Sequence, residues 1–414
     1  MMTIDYLNPT NKYQAWKMLG ILFIVQMLIA LVGRSLAPFS PLFEEDLSLS
    51  KAQIGMLPAA LFLGQALISV HAGYFVDRIG TKNMMIILSI CLGTSFALLS
   101  LSAFYPLILF LIIIGGFGYG AMHPASNRGV ILWFPIRRRG TAMGIKQMGI
   151  TTGSAMAALI LLPMATQWGW RPVLLFASIL LIIIAAITFK FYEDPLSPKS
   201  KVKNHTSNNM LSSVGLLLKN RLYLMVSTSA MALNGSQMIL NTYIVLFTYE
   251  IHAIPLISAG LLLVISEVGG SIGRIVWGIV SDIVFRGYRV IVLSIIAITS
   301  SLSALTLFLL PEGTAFGVFI PIVFIFGFCI SGFNGIWMNA VTEYVPENLV
   351  GSASGFSIML GSWGVIIGPP LFGLIVDLSS YHIGWLILFF VLLGTTLMLL
   401  FIMYLDKKMN PSTS

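Results

Sequence analysis

The stretch Gly73-Tyr-Phe-Val-Asp77-Arg78-Ile-Gly80-Thr-Lys82 holds two glycines, one acid and two bases within ten residues, and long apolar segments flank it on both sides. A partial copy, Gly278-Ile-Val-Ser-Asp282, repeats the spacing from glycine to aspartate at an offset of 205 residues. We interpret the two stretches as equivalent tight loops in the two halves of a duplicated membrane protein.

The composition of the chain is that of a membrane protein. Hydrophobic residues make up 57% of the 414 residues and charged residues only 9%, whereas a soluble domain carries roughly a quarter charged residues. So few charges cannot cover a water-facing surface, so lipid must serve as the solvent. The net charge of +8 does not indicate a nucleic-acid partner, because the basic residues fall mainly in short loops between apolar runs.

The hydropathy pattern predicts an all-α membrane protein with twelve transmembrane helices. Each span can supply about 20 apolar residues, which is enough to cross a hydrocarbon core of roughly 30 Å. The predicted spans are 16–38, 52–76, 83–104, 106–130, 141–165, 172–192, 221–249, 256–280, 289–309, 314–340, 351–376 and 384–405. The polar stretch after the sixth span predicts an N-terminal six-helix bundle (1–192), a cytoplasmic linker (193–220) and a C-terminal six-helix bundle (221–414).

The basic residues predict the orientation of these spans. With the N-terminus inside, most of the 23 lysines and arginines fall in cytoplasmic segments, and the outer loops keep only Lys51 and Arg171. This asymmetry places both termini in the cytoplasm. We expect a monomer embedded in membrane lipid, and the inner membrane of a bacterium as its location.

A second set of repeated glycines extends the duplication. At an offset of 211 residues, Gly116 corresponds to Gly327 and Gly140 to Gly351. Because each half holds an even number of spans, both halves have the same orientation in the membrane. Such repeats are related by an axis along the membrane normal, with a solute site near mid-bilayer where they meet.

These features resemble the major facilitator superfamily over essentially the whole chain. The family's loop between helices 2 and 3 has a glycine, an aspartate four residues later, then Arg, a gap, Gly and two bases. Gly73, Asp77, Arg78 and Gly80 match this pattern, and Thr81 departs from it at one basic position. The resemblance implies twelve helices in two pseudo-symmetric bundles and transport by alternating access.

In that family the loop forms a cytoplasmic latch that holds the outward-open state. The resemblance assigns this role to Asp77 and Arg78, with Asp282 as a weaker counterpart, and Arg274 lies close enough to the cytoplasmic end to join the second latch. The alternative is a simple turn that obeys the positive-inside rule. The family's Gly-Pro pair in helix 5 is absent from the stretch Gly149–Gly153, which favours symport or uniport over antiport.

Charged residues inside hydrocarbon are candidate site residues, because an unpaired charge is costly there. Arg34, in the outer half of the first span, could face a substrate or extend outward toward the acidic residues 44–46. The run from Gly33 to Gly55 resembles the organic-anion symporter branch of the superfamily, in which a helix-1 arginine meets the substrate carboxylate. An arginine fork suits such a planar group.

Two further charges lie inside predicted spans. Lys146 enters helix 5 about two turns from the cytoplasm, where it could bind substrate or extend back to the cytoplasmic surface. Glu267 lies near the middle of helix 8 and is our candidate proton carrier, because burial favours its neutral form. The alternative is an internal ion pair with Arg274 or another cation.

Polar side chains complete the predicted site. The candidates for binding substrate are Asn234, Gln237 and Asn241 on one face of helix 7, Tyr119 and His123 in helix 4, and Asn334 in helix 10. The sequence shows no catalytic constellation, no phosphate-binding loop and no metal-ligand spacing. We therefore expect a transporter and not an enzyme, with no cofactor and no metal.

Three functions remain open at this point. The first is a secondary transporter of a small organic anion coupled to a proton, since the predicted spans contain three basic residues, Arg34, Lys146 and Arg274, and one acid, Glu267. The second is an efflux pump for a cationic or amphipathic compound, with Glu267 as the cation site. The third is a non-transporting membrane sensor or scaffold.

Overall fold

A computed structural model describes residues 9–194, 210–346 and 349–409 of the chain. Most of the predicted linker, residues 195–209, lies outside the described residues. All secondary-structure elements of the described residues are helices. The helices up to residue 191 are α1 (Pro9–Gly33), α2 (Ser40–Leu47), α3 (Lys51–Ser100), α4 (Tyr105–Trp133), α5 (Ile136–Met156), α6 (Leu162–Trp168) and α7 (Trp170–Phe191), with a π-helical turn at Ala157–Leu161 between α5 and α6.

The helices from residue 210 onward continue the same pattern, and the first of them, at Met210–Lys219, lies within the predicted linker 193–220. They are α8 (Met210–Lys219), α9 (Arg221–Glu250), α10 (Leu256–Ile279), α11 (Arg289–Leu309), α12 (Phe316–Ile330), α13 (Asn334–Glu343), α14 (Val350–Leu378) and α15 (Tyr381–Met409), with a π-helical turn at Val280–Val284 after α10.

Within the described residues, eleven helical segments are long and apolar enough to cross a membrane. The predicted seventh span is the 30-residue helix α9, which is not among the eleven. Asn234, Gln237 and Asn241 lower its hydropathy, and the same residues were predicted as a substrate-facing stripe. The multi-pass, all-helical fold predicted from the sequence is confirmed.

The helix α3 contains the second and third predicted spans, and Gly80 divides it. Gly80 has φ 89° and ψ 165°, a conformation that L side chains rarely adopt. Directly after this break the backbone N–H of Lys82 donates to Asp194 Oδ2 at 3.1 Å. A carboxylate at this position stabilises the N-terminus of the following helical segment.

The helices form two compact units. Unit 1 comprises Met1–Ser48 and Ala60–Lys201, and unit 2 comprises Leu49–Ala59 and Val202–Ser414. The segment Leu49–Ala59, which begins α3, is therefore grouped with unit 2. Contacts within unit 2 explain this grouping, because Asp377 accepts from the backbone N–H groups of Lys51 and Ala52 at 2.8 Å each.

Two predicted helices differ from their observed form. The first was expected to run to residue 38 but α1 ends at Gly33, since Pro38 cannot donate a helical hydrogen bond. The tenth predicted span, 314–340, is interrupted between α12 and α13 by a turn at residues 331–333. Both differences bear on the candidate site.

Candidate functional site

Arg34 lies in the turn that follows α1 in unit 1, half-buried. Its Nε donates to the hydroxyl of Tyr119 on α4 at 3.1 Å. The preceding Gly33 allows this contact, because a Cβ there would lie 2.8 Å from the Tyr119 ring. Asp46, one of the acids that could have drawn Arg34 outward, is instead bound by Arg171 and by the indole N–H of Trp170.

Lys146 on α5 is fully buried. Its ammonium donates to Ser126 Oγ at 2.7 Å and to Asn127 Oδ1 at 2.5 Å, both on α4. The side chain therefore extends into the packing of unit 1 and not to the cytoplasmic surface. Both acceptors are neutral, and a lysine carries three N–H donors.

One face of α4 contacts both Arg34 and Lys146. Tyr119, His123 and Asn127 follow one another at intervals of four residues, so they lie on the same side of the helix. Tyr119 binds Arg34 at one end of this row and Asn127 binds Lys146 at the other, with His123 between them. Eight residues of helix separate the two anchoring side chains by about 12 Å.

In unit 2, the predicted stripe on α9 makes specific contacts. Gln237 donates to Ser331 Oγ at 2.9 Å. Asn241 donates to Glu267 Oε1 on α10 at 3.4 Å. Asn234 is half-buried on the same helix, beside Gly361 of α14. The stripe therefore lies inside unit 2 and is not lipid-facing.

Ser331, which the sequence analysis did not single out, joins several of these residues. It lies in the turn between α12 and α13, so its backbone carbonyl is released from the helical hydrogen-bond pattern and accepts from Arg274 Nε at 3.1 Å. Asn334 begins α13 just after this turn. The adjacent Ser331-Gly332 within an apolar span was the available signal, since interrupted helices are common where transporters bind solutes.

Glu267 is buried, at 1% exposure, near the middle of α10. Arg274 lies two turns further along the same helix and is half-buried. The structure thus brings Glu267 to Asn241, and it brings Arg274 to the α12–α13 turn.

In the predicted latch of unit 1, Asp77 forms an ion pair with Arg128 of α4 at 3.5 Å. Arg128 also donates to the carbonyl of Val76, so this arginine binds the predicted latch at two points. Arg78 and Asp282 are exposed. Arg128 was not predicted as part of the latch, because it lies on another helix, distant in the chain from Asp77.

Among the described residues, no group of three or more His, Cys, Asp and Glu side chains could hold a metal ion. The residues of the candidate site are cations, amides, hydroxyls, the imidazole of His123 and the carboxylate of Glu267, and the predicted latch adds Asp77 and Asp282. Such a set is suited to an anionic or polar solute.

Comparisons with known proteins agree with this description. A family model described as Major Facilitator Superfamily matches residues 22–369 and 287–414. A hexuronate transporter of Bacillus subtilis (strain 168) is 25% identical over 374 residues, which cover 88% of each chain. A probable galactarate/D-glucarate transporter of Escherichia coli (strain K12) is 21% identical over 414 residues, covering 92% of this chain and 93% of the relative.

Solved structures of similar fold are also known. The nucleoside transporter NupG superposes with a TM-score of 0.76 at 18% identity, covering 93% of this chain and 99% of the other. A bacterial homologue of the human lysosomal transporter Spinster, in an inward-facing and occupied conformation, superposes with a TM-score of 0.75 at 17% identity, covering 93% and 96%. At these identities the likeness concerns the fold.

Proposed function

Because this chain belongs to the Major Facilitator Superfamily, and is therefore a multi-pass membrane transporter and not an enzyme, we propose that it carries a small organic anion across the membrane by alternating access, coupled to a proton. The anion is a carboxylate-type metabolite. The proposed location is a bacterial inner membrane, with both termini cytoplasmic and the protein a monomer.

The buried ammonium of Lys146 carries the proposal. Its two acceptors, Ser126 and Asn127, are neutral, and a buried charge is costly unless a counter-charge compensates it. A substrate carboxylate that enters unit 1 supplies that counter-charge and accepts the third N–H. The structural alternative, a lysine that only ties α5 to α4, leaves this cost without compensation.

Arg34 supports the same function from the other end of the row on α4. Its Nε donates to the Tyr119 hydroxyl, which holds the planar guanidinium beside α4. A guanidinium fork suits the planar carboxylate of such an anion. The hexuronate and galactarate/D-glucarate transporters among the relatives bear names of carboxylate substrates, which favours an anion over a cation.

Proton coupling is assigned to Glu267. Its carboxyl group is 1% exposed and accepts from Asn241 near the middle of α10, and an ionisable side chain inside a membrane span is a candidate member of a proton relay. Alternating access would change the solvent exposure of this group during the transport cycle. The proposal is therefore a symport, with anion recognition by Arg34 and Lys146 and proton carriage by Glu267.

The experiment that tests the proposal is uptake by the purified protein in proteoliposomes. Labelled D-glucuronate is supplied outside, with and without an inward proton gradient at clamped membrane potential. We expect saturable uptake that the gradient accelerates and that Arg34→Ala reduces strongly. Failure of wild-type protein to move D-glucuronate, galactarate or any other carboxylate of a metabolite panel contradicts the proposal.

The burial of Glu267 also favours one alternative, an efflux pump for a cationic or amphipathic compound with this carboxylate as the cation site. The two functions respond differently to the same pair of substitutions. Anion uptake needs Arg34. Cation efflux needs Glu267 and tolerates Arg34→Ala.

A further inference from the structure

Gln26, on α1 of unit 1, is fully buried. Neither its Nε2 nor its Oε1 hydrogen-bonds to any residue that the structure describes. Buried amide groups almost always have partners, because an unsatisfied one costs free energy. Such a side chain inside a transporter is a candidate contact for the transported solute, and no pattern in the sequence marks it.

The depth of Gln26 follows from the packing of α1 against α4. At one end Gly33 lies beside the Tyr119 ring, and at the other a Cβ on Gly129 would lie 2.9 Å from Leu22 Cδ1. The two helices are therefore antiparallel at this contact. Gln26 lies between Leu22 and Gly33, at the level of the α4 residues that lie between Gly129 and Tyr119. Those residues include the acceptors of the Lys146 ammonium.

The direction of Gln26 follows from its contact with α5. A Cβ on Gly149 would lie 3.4 Å from Gln26 Cβ. Gly149 is three residues after Lys146, and residues three apart share one face of a helix. Gln26 thus faces the side of α5 that carries Lys146, at the depth where the ammonium meets Ser126 and Asn127.

We propose that Gln26 is a specificity-determining residue that binds a hydroxyl group next to the carboxylate held by Lys146, so that the substrate is a hydroxylated organic anion. This inference rests on the proposed function. A primary amide offers two N–H donors and a carbonyl acceptor. A carboxylate alone can satisfy only the donors and leaves Oε1 without a partner. A hydroxyl both donates and accepts, so it can satisfy both ends of the amide.

The competing explanation is a glutamine that is merely trapped in the packing. Replacing such a residue by an apolar side chain of similar volume is neutral or stabilising, because the desolvated amide is removed. It also leaves the choice between ligands unchanged. Stability therefore does not separate the two explanations, whereas ligand discrimination does.

The test uses two dicarboxylates of equal length, galactarate, which carries four hydroxyls, and adipate, which carries none. Their dissociation constants are measured by titration calorimetry for wild-type protein, for Gln26→Met and for the matched control Gln147→Met on α5. Gln26→Leu is included in case the first variant does not fold. We expect wild-type protein to prefer galactarate by about tenfold or more. We expect this ratio to fall to within about twofold in the Gln26 variants and to stay unchanged in the control.

Two results would contradict the role of Gln26 and leave the proposed function of the protein unaffected. One is wild-type protein that binds both anions equally. The other is a preference for galactarate that persists in both Gln26 variants. If wild-type protein binds neither anion and moves no carboxylate in proteoliposomes, the proposed function itself fails, and this outcome is distinct from the first two.

Discussion

Units 1 and 2 place their buried ionisable groups in different surroundings. In unit 1 the ammonium of Lys146 meets only hydroxyl and amide oxygens. In unit 2 the carboxylate of Glu267 accepts from an amide, and Arg274, on the same helix, donates to a backbone carbonyl. Unit 1 therefore offers positive charge that an anion can neutralise, whereas unit 2 carries both signs. The difference supports the proposed division of roles, with anion recognition in unit 1 and proton carriage in unit 2.

The largest expected effect tests the cation of unit 1. Lys146→Met keeps an unbranched side chain, one atom shorter than lysine, and removes the charge. If the substrate carboxylate neutralises Lys146, kcat/KM for D-glucuronate uptake should fall on the order of 100-fold, since removing one member of a buried ion pair leaves the other charge uncompensated. Proteoliposome uptake measures this change.

The matched control for Lys146→Met is Lys219→Met, which removes an exposed lysine at the end of α8. The control should transport as wild type does. The melting temperature of Lys146→Met should be equal to or above that of wild type, because a buried charge is lost. Uptake within threefold of wild type in Lys146→Met would remove the main support for anion recognition in unit 1.

The next prediction concerns the acid of unit 2. Glu267→Gln keeps the hydrogen-bonding shape of the side chain and cannot exchange a proton. Anion exchange down its own gradient should persist. Accumulation driven by a one-unit pH gradient, which can reach about tenfold for one proton, should disappear. Glu45→Gln, on an exposed acid of α2, is the control. Persistent pH-driven accumulation would place the proton on another group.

A smaller effect is expected from Arg34→Lys, which keeps the charge but loses the Nε bond to Tyr119 and the planar fork. The KM for the anion should rise about fivefold, the effect of one hydrogen bond of about 1 kcal/mol, with kcat little changed. Tyr119→Phe should reproduce part of this rise if the hydroxyl orients the guanidinium. A KM that Arg34→Lys leaves unchanged would mean that only the charge is recognised.

The fold could be predicted from the sequence because its determinants are local. Runs of about 20 apolar residues specify spans. The stretch from Gly73 to Lys82 was predicted as a tight loop, but it lies within α3, and only Gly80, with its positive φ, leaves the helical conformation. The turn at residues 331–333 could not be predicted in this way. Its residues Ser331 and Gly332 sit inside an apolar run, and only packing shows why the helix stops, since a Cβ on Gly332 would lie 2.9 Å from the backbone of Gly273.

The contacts of the candidate site could be predicted only in part. Arg34, Lys146 and Glu267 were found because charge inside hydrocarbon is conspicuous in a sequence. Gln26 was missed because a single amide in an apolar helix gives no sign of which way it faces. Likewise, the partners of Lys146 depend on how α4 and α5 align, and the partner of Asp77 is Arg128, on another helix. These contacts depend on tertiary packing, and no local sequence pattern indicates them.

The smallest expected effect concerns His252 of unit 2. It tests whether this imidazole can become positively charged although its partner at Nδ1, the backbone N–H of Thr314, is a donor. His252, buried in the loop after α9, accepts the backbone N–H of Thr314 at Nδ1 at 3.2 Å, and the rings of Phe247 and Phe319 pack against it at 4.8 Å each. Protonation makes both ring nitrogens donors and breaks this bond. Burial, and secondarily the nearby His382, lower the pKa of His252 below its usual value of 6.5, against the opposing influences of Glu312 and of a hydrogen bond with the backbone of Pro311.

A pKa that is lower in the folded state than in the unfolded state gives a definite sign. The unfolded chain binds the proton first as the pH falls through 6.5, so the contribution of His252 to stability is fully present above that pH and is lost below it. The melting temperature of wild-type protein should therefore fall more between pH 7.5 and pH 5.5 than that of His252→Gln, by on the order of 1 °C. The variant keeps an acceptor for Thr314 and cannot become charged, so the difference between the two proteins isolates this group from the carboxylates that titrate nearby. Equal pH dependence in the two proteins would show that the loop after α9 tolerates a charged imidazolium, as unit 1 tolerates the ammonium of Lys146. The contrast between the two units would then be limited to the buried groups on their long helices.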